Sequence, residues 1–211
     1  MKIIIVAGSP VKSFSKLYHK NPSDYYIGVD SGCLELINRG IKMDIAIGDF
    51  DSTDKLDLIK EHSYSILTYP KEKNETDLEL ALMHLDTLKG SIDLEVEIYD
   101  ALGSRLDHEF NAYMLLAKYS QYKLKLIDEE NQVVYRKSKD IYKIRGGVNY
   151  FSIFADKKSV ISICNAKYPL IDQTIDKSDT YLVSNEMLDK NLQPTIEIKK
   201  GGVYIFINSH K

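Results

Sequence analysis

Through about Ile127, short apolar runs alternate with longer stretches whose apolar positions recur every three or four residues. Ile3-Ile4-Ile5-Val6 is a continuous β-branched run, the pattern of a strand buried on both faces. Tyr25–Val29, Asp44–Gly48 and Ser65–Thr68 predict further strands, and Leu94–Tyr99 and Tyr122–Ile127 alternate apolar and polar residues. Between them, Leu78, Ala81, Leu82, Leu85 and Leu88 place a helix over Asp77–Lys89. Leu106, Phe110, Tyr113, Met114 and Ala117 form a second apolar stripe at helical spacing. Ser31–Arg39 carries a weaker helical pattern that Gly40 would stop. Strands alternating with helices predict a mostly parallel, Rossmann-like α/β sheet with helices on both faces.

After Asp128 the pattern changes. Val133–Tyr135, Ile141–Ile144, Tyr150–Phe154, Val160–Ile163, Thr180–Val183, Thr195–Ile198 and Val203–Ile207 read as short strands. Arg145-Gly146-Gly147, Asp156-Lys157-Lys158 and Lys200-Gly201-Gly202 supply turns. Strands at this spacing predict a small antiparallel sandwich or barrel, and the sandwich is taken here as the expectation. The fold class is therefore an α/β domain over residues 1–130 followed by a β-sandwich domain over residues 131–211.

Composition narrows the function classes. Lys plus Arg is 28 and Asp plus Glu is 31, a net charge of −3, without the basic excess a nucleic-acid partner requires. The two cysteines, Cys33 and Cys164, follow no disulfide or metal spacing and read as reduced thiols of a cytoplasmic protein. No apolar run reaches membrane-spanning length. The chain has 15 Tyr and no Trp.

The acidic residues cluster where strands end and helices begin, the edge at which open α/β sheets bind ligands. Asp30 closes the second strand, Asp49 and Asp51 follow the third in Gly48-Asp49-Phe50-Asp51-Ser52, and Asp77 and Asp107 open the two clearest helices. On extended chain, Asp49 and Asp51 would point to one side, roughly 6–7 Å apart. Such a pair suits Mg²⁺, which takes oxygen ligands and is commonly held by one or two carboxylates plus substrate phosphate. Gly48 would let a ligand approach the backbone. Asp, Ser and Thr ahead of helices are also ordinary N-caps: Thr76-Asp77-Leu78-Glu79 matches a capping box and Ser104-Arg105-Leu106-Asp107 a looser one. Capping alone does not favour Asp over Ser, Thr or Asn, and like charges gathered at one edge repel unless something neutralises them. Lys73 and Arg105 are the basic complement, able to hold phosphate. His108 is a candidate base, and Ala7-Gly8-Ser9-Pro10 resembles a phosphate-accepting turn without the full glycine fingerprint.

Taken together, Val29-Asp30-Ser31-Gly32, Gly48-Asp49-Phe50-Asp51-Ser52, Lys73-Asn74-Glu75-Thr76-Asp77-Leu78-Glu79-Leu80-Ala81 and Gly103-Ser104-Arg105-Leu106-Asp107-His108 with Asn111 resemble the thiamine pyrophosphokinase family. Lys167-Tyr168-Pro169-Leu170 and Ser184-Asn185-Glu186 extend the likeness into the second domain. The resemblance implies Mg²⁺-dependent transfer of pyrophosphate from ATP to the hydroxyl of thiamine, releasing AMP. It also implies a homodimer with thiamine at the subunit interface. Carried over by position, Asp49, Asp51 and Asp77 would bind Mg²⁺ and act in catalysis with Arg105 and Asp107. Asp30, Ser31, Lys73, Thr76, Arg105 and His108 would line the ATP site. Ser184, Asn185 and Tyr181 would approach thiamine. Ser31, Asn74 and Ser104 depart from residues common in that family. Lacking Trp, the chain would need Tyr181, Tyr168 or Met187 to face the thiamine rings.

Two other readings are open. Gly48-Asp49-Phe50-Asp51-Ser52-Thr53 also looks like the nucleophile motif of haloacid-dehalogenase-like phosphatases, with Asp49 as the nucleophile, although that motif normally follows the first strand. A non-catalytic nucleotide- or thiamine-binding sensor is the other.

Overall fold

The computed structural model describes residues 1–50, 54–88, 94–189 and 191–209. The chain divides into two compact units, Met1–Glu129 and Glu130–Lys211.

In the first unit, strands β1 (Ile3–Val6), β2 (Tyr25–Val29), β3 (Met43–Gly48), β4 (Ser63–Thr68), β5 (Glu95–Tyr99) and β6 (Lys123–Ile127) lie in the order β4-β3-β2-β1-β5-β6. Every neighbouring pair is parallel. The helices are α1 (Phe14–Leu17), α2 (Gly32–Asn38), α3 (Leu56–Glu61), α4 (Asp77–His84) and α5 (Leu106–Lys118). The chain winds outward from β1 to β4, then returns to place β5 on the other side of β1. The order therefore reverses at β1, and a crevice opens there at the carboxyl ends of the strands. Residues Ile3, Ile4, Ile5 and Val6 are all fully buried, as a central parallel strand requires.

Register fixes what meets at that edge. Val6 is level with Gly28 and with Tyr99, and Val29 with Ile47. One step further, Ala7 and Asp100 emerge together, and Asp30 comes level with Gly48.

Three features of this unit differ from the pattern along the sequence. Helix α4 stops at His84 and continues as a 3₁₀ turn, Leu85–Thr87, while Lys89 lies outside the described residues. Short helices α1 and α3 were not marked by periodicity, being too brief to show it. The stripe on α5 does not face the core. Leu106, Phe110 and Met114 are 80%, 66% and 48% exposed, whereas Ala112, Leu115 and Leu116 are buried. Two apolar stripes share that helix, and the one adjoining the sheet is the smaller-residue face.

The second unit has strands β7 (Asn131–Lys137), β8 (Asp140–Lys143), β9 (Tyr150–Ala155), β10 (Ser159–Cys164), β11 (Leu170–Ile175), β12 (Thr195–Lys200) and β13 (Gly202–Asn208). Strand β13 pairs antiparallel with β7 and β9, and a four-stranded antiparallel sheet runs β11-β10-β12-β8. Their inward residues, among them Phe151, Ile153, Ile161, Ile196 and Ile205, make one core. The strand expected at Thr180–Val183 does not form. Leu182 and Asn185 bond to β9 through the backbone, but Ser184 sits at φ +57°, which interrupts an extended ladder. A strand that the sequence pattern did not mark is β11, at the edge of the four-stranded sheet, with four consecutive exposed positions.

Close packing of α2 on β1 depends on Gly32, where an added β-carbon would lie 2.1 Å from the Val6 carbonyl oxygen. Gly32→Ala should destabilise the protein by about 1–3 kcal/mol. A chemical denaturation midpoint equal to that of the wild type would contradict this close approach.

Candidate active site

A cleft of about 580 Å³ opens at the carboxyl edge of the first unit's sheet. Each wall comes from a strand end or from a helix start. Ala7 to Pro10 follow β1, Asp30 and Ser31 follow β2, Asp49 follows β3, and Asp100 and Ala101 follow β5. Lys73, Thr76 and Asp77 lead into α4, and Ser104, Arg105, His108 and Asn111 come from the start of α5.

The acidic floor is built by backbone geometry. Asp30 has φ +47°, with its N–H donating to the Ile47 carbonyl at 3.0 Å. Its carboxylate lies over the end of β3, where a β-carbon at Gly48 would come 2.1 Å from Asp30 Oδ1. Gly48 therefore makes room for a neighbouring carboxylate, not for a ligand's direct approach to the backbone. Past Gly48 the chain is not extended. Phe50 has φ +53° and buries its ring in the core, so the two-residue alternation expected to align Asp49 with Asp51 does not carry through. Asp51 lies outside the described residues.

Thr76 caps α4, its Oγ1 accepting from Glu79 N at 3.3 Å and from Asn111 Nδ2 at 3.3 Å. The reciprocal half of the capping box is absent, because the Glu79 carboxylate turns to Lys118 and Tyr119 on and after α5. The N-cap residue of α5 is Arg105, and Ser104 does not cap it. Instead Gly103, at φ +83°, donates its N–H to Glu109 Oε2 at 3.1 Å.

Charge is unevenly balanced. Lys73 Nζ meets Asp77 Oδ1 at 2.7 Å with both side chains largely buried. Arg105 grips Asp107 through two bonds, of 3.2 and 2.6 Å, in solvent. Arg105 thereby holds the Asp107 carboxyl below its ordinary range. Asp107 itself does not line the cleft. Asp30 Oδ1 is buried with no hydrogen-bond partner among the described residues. Burial first, and then the Asp77 and Asp49 carboxylates, push the Asp30 carboxyl up to about 7, against the opposing pull of Lys73.

These residues fit a hard divalent cation. A partnerless buried carboxylate oxygen beside two further carboxylates supplies oxygen ligands and a charge deficit. Among the described residues, no group of three or more His, Cys, Asp or Glu forms a complete metal cage. Mg²⁺ does not need one, since it keeps waters and takes one or two carboxylates with phosphate.

The sequence singled out Asp30, Ser31, Asp49, Lys73, Thr76, Asp77, Arg105 and His108, and the fold brings them to this one cleft. It overlooked Asp100, whose position directly after a strand matches that of Asp30 and is the signal that would have found it. Ser184, Asn185 and Tyr181 belong to the second unit. Asn185 is buried, with Oδ1 accepting from Tyr168 N at 3.0 Å and Glu186 N at 2.9 Å, and Nδ2 donating to Tyr168 O at 2.9 Å. Its side chain thus holds the Tyr168 turn in place, while Ser184 and the Tyr181 and Tyr168 rings are exposed.

The family model for the catalytic domain of thiamin pyrophosphokinase matches residues 17–127. The thiamine pyrophosphokinase of Bacillus subtilis (strain 168) is 32% identical over 219 residues, covering 99% of both chains. Among solved structures, thiamine pyrophosphokinase from Bacillus subtilis superposes with a TM-score of 0.85 at 26% identity over 100% of both chains. The enzyme from Geobacillus thermodenitrificans gives 0.83 at 26% identity, covering 100% of this chain and 99% of that one.

The raised Asp30 value sets a pH dependence. A carboxyl whose folded value exceeds its ordinary 3.8 stabilises the fold at low pH and loses that contribution as pH rises through about 7. Without divalent cation, the melting temperature should fall between about pH 4 and about pH 7 and level off above, and Asp30→Asn should flatten the fall. Parallel wild-type and variant curves in scanning fluorimetry would sink this assignment.

Proposed function

This chain belongs to the thiamine pyrophosphokinase family and is an enzyme of that activity, and from that premise we propose how its residues divide the work. The observation that carries the reading is the cleft at the sheet's topological switch, where Asp30, Asp49 and Asp77 face Lys73 and Arg105. ATP and thiamine are the substrates. The hydroxyl oxygen of thiamine attacks the β-phosphorus of ATP, the bond to the α–β bridging oxygen breaks, and AMP leaves with that electron pair while the hydroxyl proton passes to solvent water.

Asp49 and Asp77, with Asp51, would hold Mg²⁺, which when bound offsets the charge of the polyphosphate. Lys73 and Arg105 place fixed positive charge at the cleft, where it counts most as charge moves to the leaving oxygen. Asp107 orients the Arg105 fork through its two bonds. Ser31, Thr76 and His108 complete the nucleotide-facing wall. In the second unit, which we read as a β-sandwich thiamine-binding domain, Ser184 and Tyr181 are offered to thiamine, while Asn185 holds the neighbouring Tyr168 turn. With no Trp in the chain, the exposed Tyr181 or Tyr168 ring supplies the π-face for the cationic thiazolium. Both cysteines are free, in keeping with a cytoplasmic setting. No helix among the described residues is long and apolar enough to cross a membrane.

The phosphatase reading loses ground on position, because Asp49 follows β3 and the cleft centres on the β1–β5 switch. Incubating protein with ATP, Mg²⁺ and thiamine should yield AMP and thiamine diphosphate in equal amounts. ADP with thiamine monophosphate, or an aspartyl-phosphate at Asp49, would refute the reaction. Asp49→Asn should lower turnover roughly 10²–10³-fold with the fold unchanged by circular dichroism.

We also read the enzyme as a homodimer with thiamine at the subunit interface. The stripe of Leu106, Phe110 and Met114, exposed directly after Arg105, supports it, since three large apolar side chains one helical turn apart offer a second copy an apolar face. Phe110→Glu should convert the dimer to monomer in light scattering and remove activity. A wild-type protein that is monomeric and fully active would overturn the dimer.

A further inference from the structure

We propose that Asp100 is a positioning residue for the nucleotide's polyphosphate, fixing the Gly8-Ser9-Pro10 turn as a wall of the cleft. The proposal rests on the functional reading above only in taking from it that ATP occupies this cleft.

Asp100 is 1% exposed and sits at φ +54°, immediately after β5. That strained conformation turns both its carbonyl and its side chain toward the loop leaving β1. The carbonyl accepts Ser9 N at 2.9 Å. Oδ1 accepts Ser13 N at 2.7 Å, Ser13 Oγ at 3.0 Å and Phe14 N at 3.0 Å. One residue therefore holds the Ser9–Phe14 loop at both ends. Ser9 Oγ adds a bond to the Leu102 carbonyl at 2.8 Å, and Ser31 Oγ reaches Gly8 O at 3.2 Å. The loop so tied presents Gly8, Ser9 and Pro10 to the cleft.

The other oxygen explains why the site tolerates one more carboxylate. Asp100 Oδ2 faces Lys12 Nζ at 3.7 Å, and both atoms are buried without a hydrogen bond among the described residues. A buried pair lacking hydrogen bonds is a poor source of stability. Its evident effect is neutralisation: Lys12 cancels the charge of Asp100 beside a cleft already rich in carboxylates, so the loop anchor does not repel phosphate. Charge and hydrogen bonding are thus separable at this residue.

That separation gives the test. Asp100→Asn with Lys12→Met removes both charges but keeps an acceptor oxygen for Ser13 and Phe14. Asp100→Ala with Lys12→Met removes the acceptor as well. In steady-state assays of AMP release, the alanine pair should raise KM for ATP about tenfold, with kcat and KM for thiamine within about threefold of wild type. The asparagine pair should stay within about threefold throughout. Unchanged KM for ATP in the alanine pair, equal rises for both substrates, or no recovery by asparagine would each overturn the proposal. Should the alanine pair fail to fold by circular dichroism, Ser13→Ala removes one anchor bond and should raise KM for ATP alone by about threefold; no change would overturn it. A wild-type enzyme that releases no AMP would instead sink the pyrophosphotransfer reading. ATP affinity of the same variants by calorimetry would then decide the anchoring role separately, a tenfold loss in the alanine pair supporting it and equal affinity refuting it.

Discussion

Everything at the cleft follows from one electrostatic constraint: carboxylates of the same sign are brought together at a sheet edge where water is partly excluded. Parallel register sets Asp30 level with Gly48 and lets Asp49 follow directly. Burial and mutual repulsion then push the Asp30 carboxyl up to about 7. Lys73 offsets only part of this, through its bond to Asp77. Such a cluster is a poor device for stability, since each charge loses hydration and gains repulsion. It makes sense as a receptor for positive charge, and the family's need to handle a polyphosphate supplies the reason for having one.

The glycines and helix starts around the cleft serve the same constraint. Gly48 carries no side chain because the Asp30 carboxylate fills that space. Thr76 uses its hydroxyl to cap α4 and to receive Asn111, so the helix start bearing Asp77 is fixed by α5. Glu79 and Lys118 then join α4 to α5 on their outer surface. Asp77 thus opens a helix cross-tied to the one that Arg105 precedes, while Asp30 and Asp49 are set by strand ends and Lys73 by the segment leading into α4.

Much of this was legible in the sequence because parallel strands and cap-rich helix starts leave strong local signals. The continuous Ile3–Val6 run, the Asp-rich strand ends and Thr76 ahead of an apolar helix all follow from chemistry within a few residues. What was not legible depends on partners distant in sequence. Leu106, Phe110 and Met114 have helical spacing, but spacing cannot say which of two stripes meets the sheet. Thr180–Val183 has strand composition, yet Ser184 and the Asn185 bonds to the Tyr168 turn prevent a ladder. The role of Asp100 was not visible because its donors, on Ser13 and Phe14, lie 87 and 86 positions away. Tyr18 and Tyr26 share a buried network in which the Tyr18 hydroxyl donates to Asp24 at 2.8 Å.

Backbone strain points to the same edge by a route independent of charge. In the first unit the described non-glycine residues with positive φ are Asp30, Phe50 and Asp100, at +47°, +53° and +54°. All three lie within two residues of a strand's carboxyl end, and nowhere else in that unit is the conformation seen among described non-glycines. Each costs of order 1–3 kcal/mol and persists only if its surroundings hold it. Different forces do the holding: Phe50 is anchored by core burial, Asp100 by three hydrogen bonds on Oδ1, and Asp30 by its N–H bond to Ile47. Glycine at any of them would relax the backbone but remove the side chain that the bend exists to aim. A fold that accepts strain three times along one edge, by three unrelated means, is using that edge for something other than its own stability.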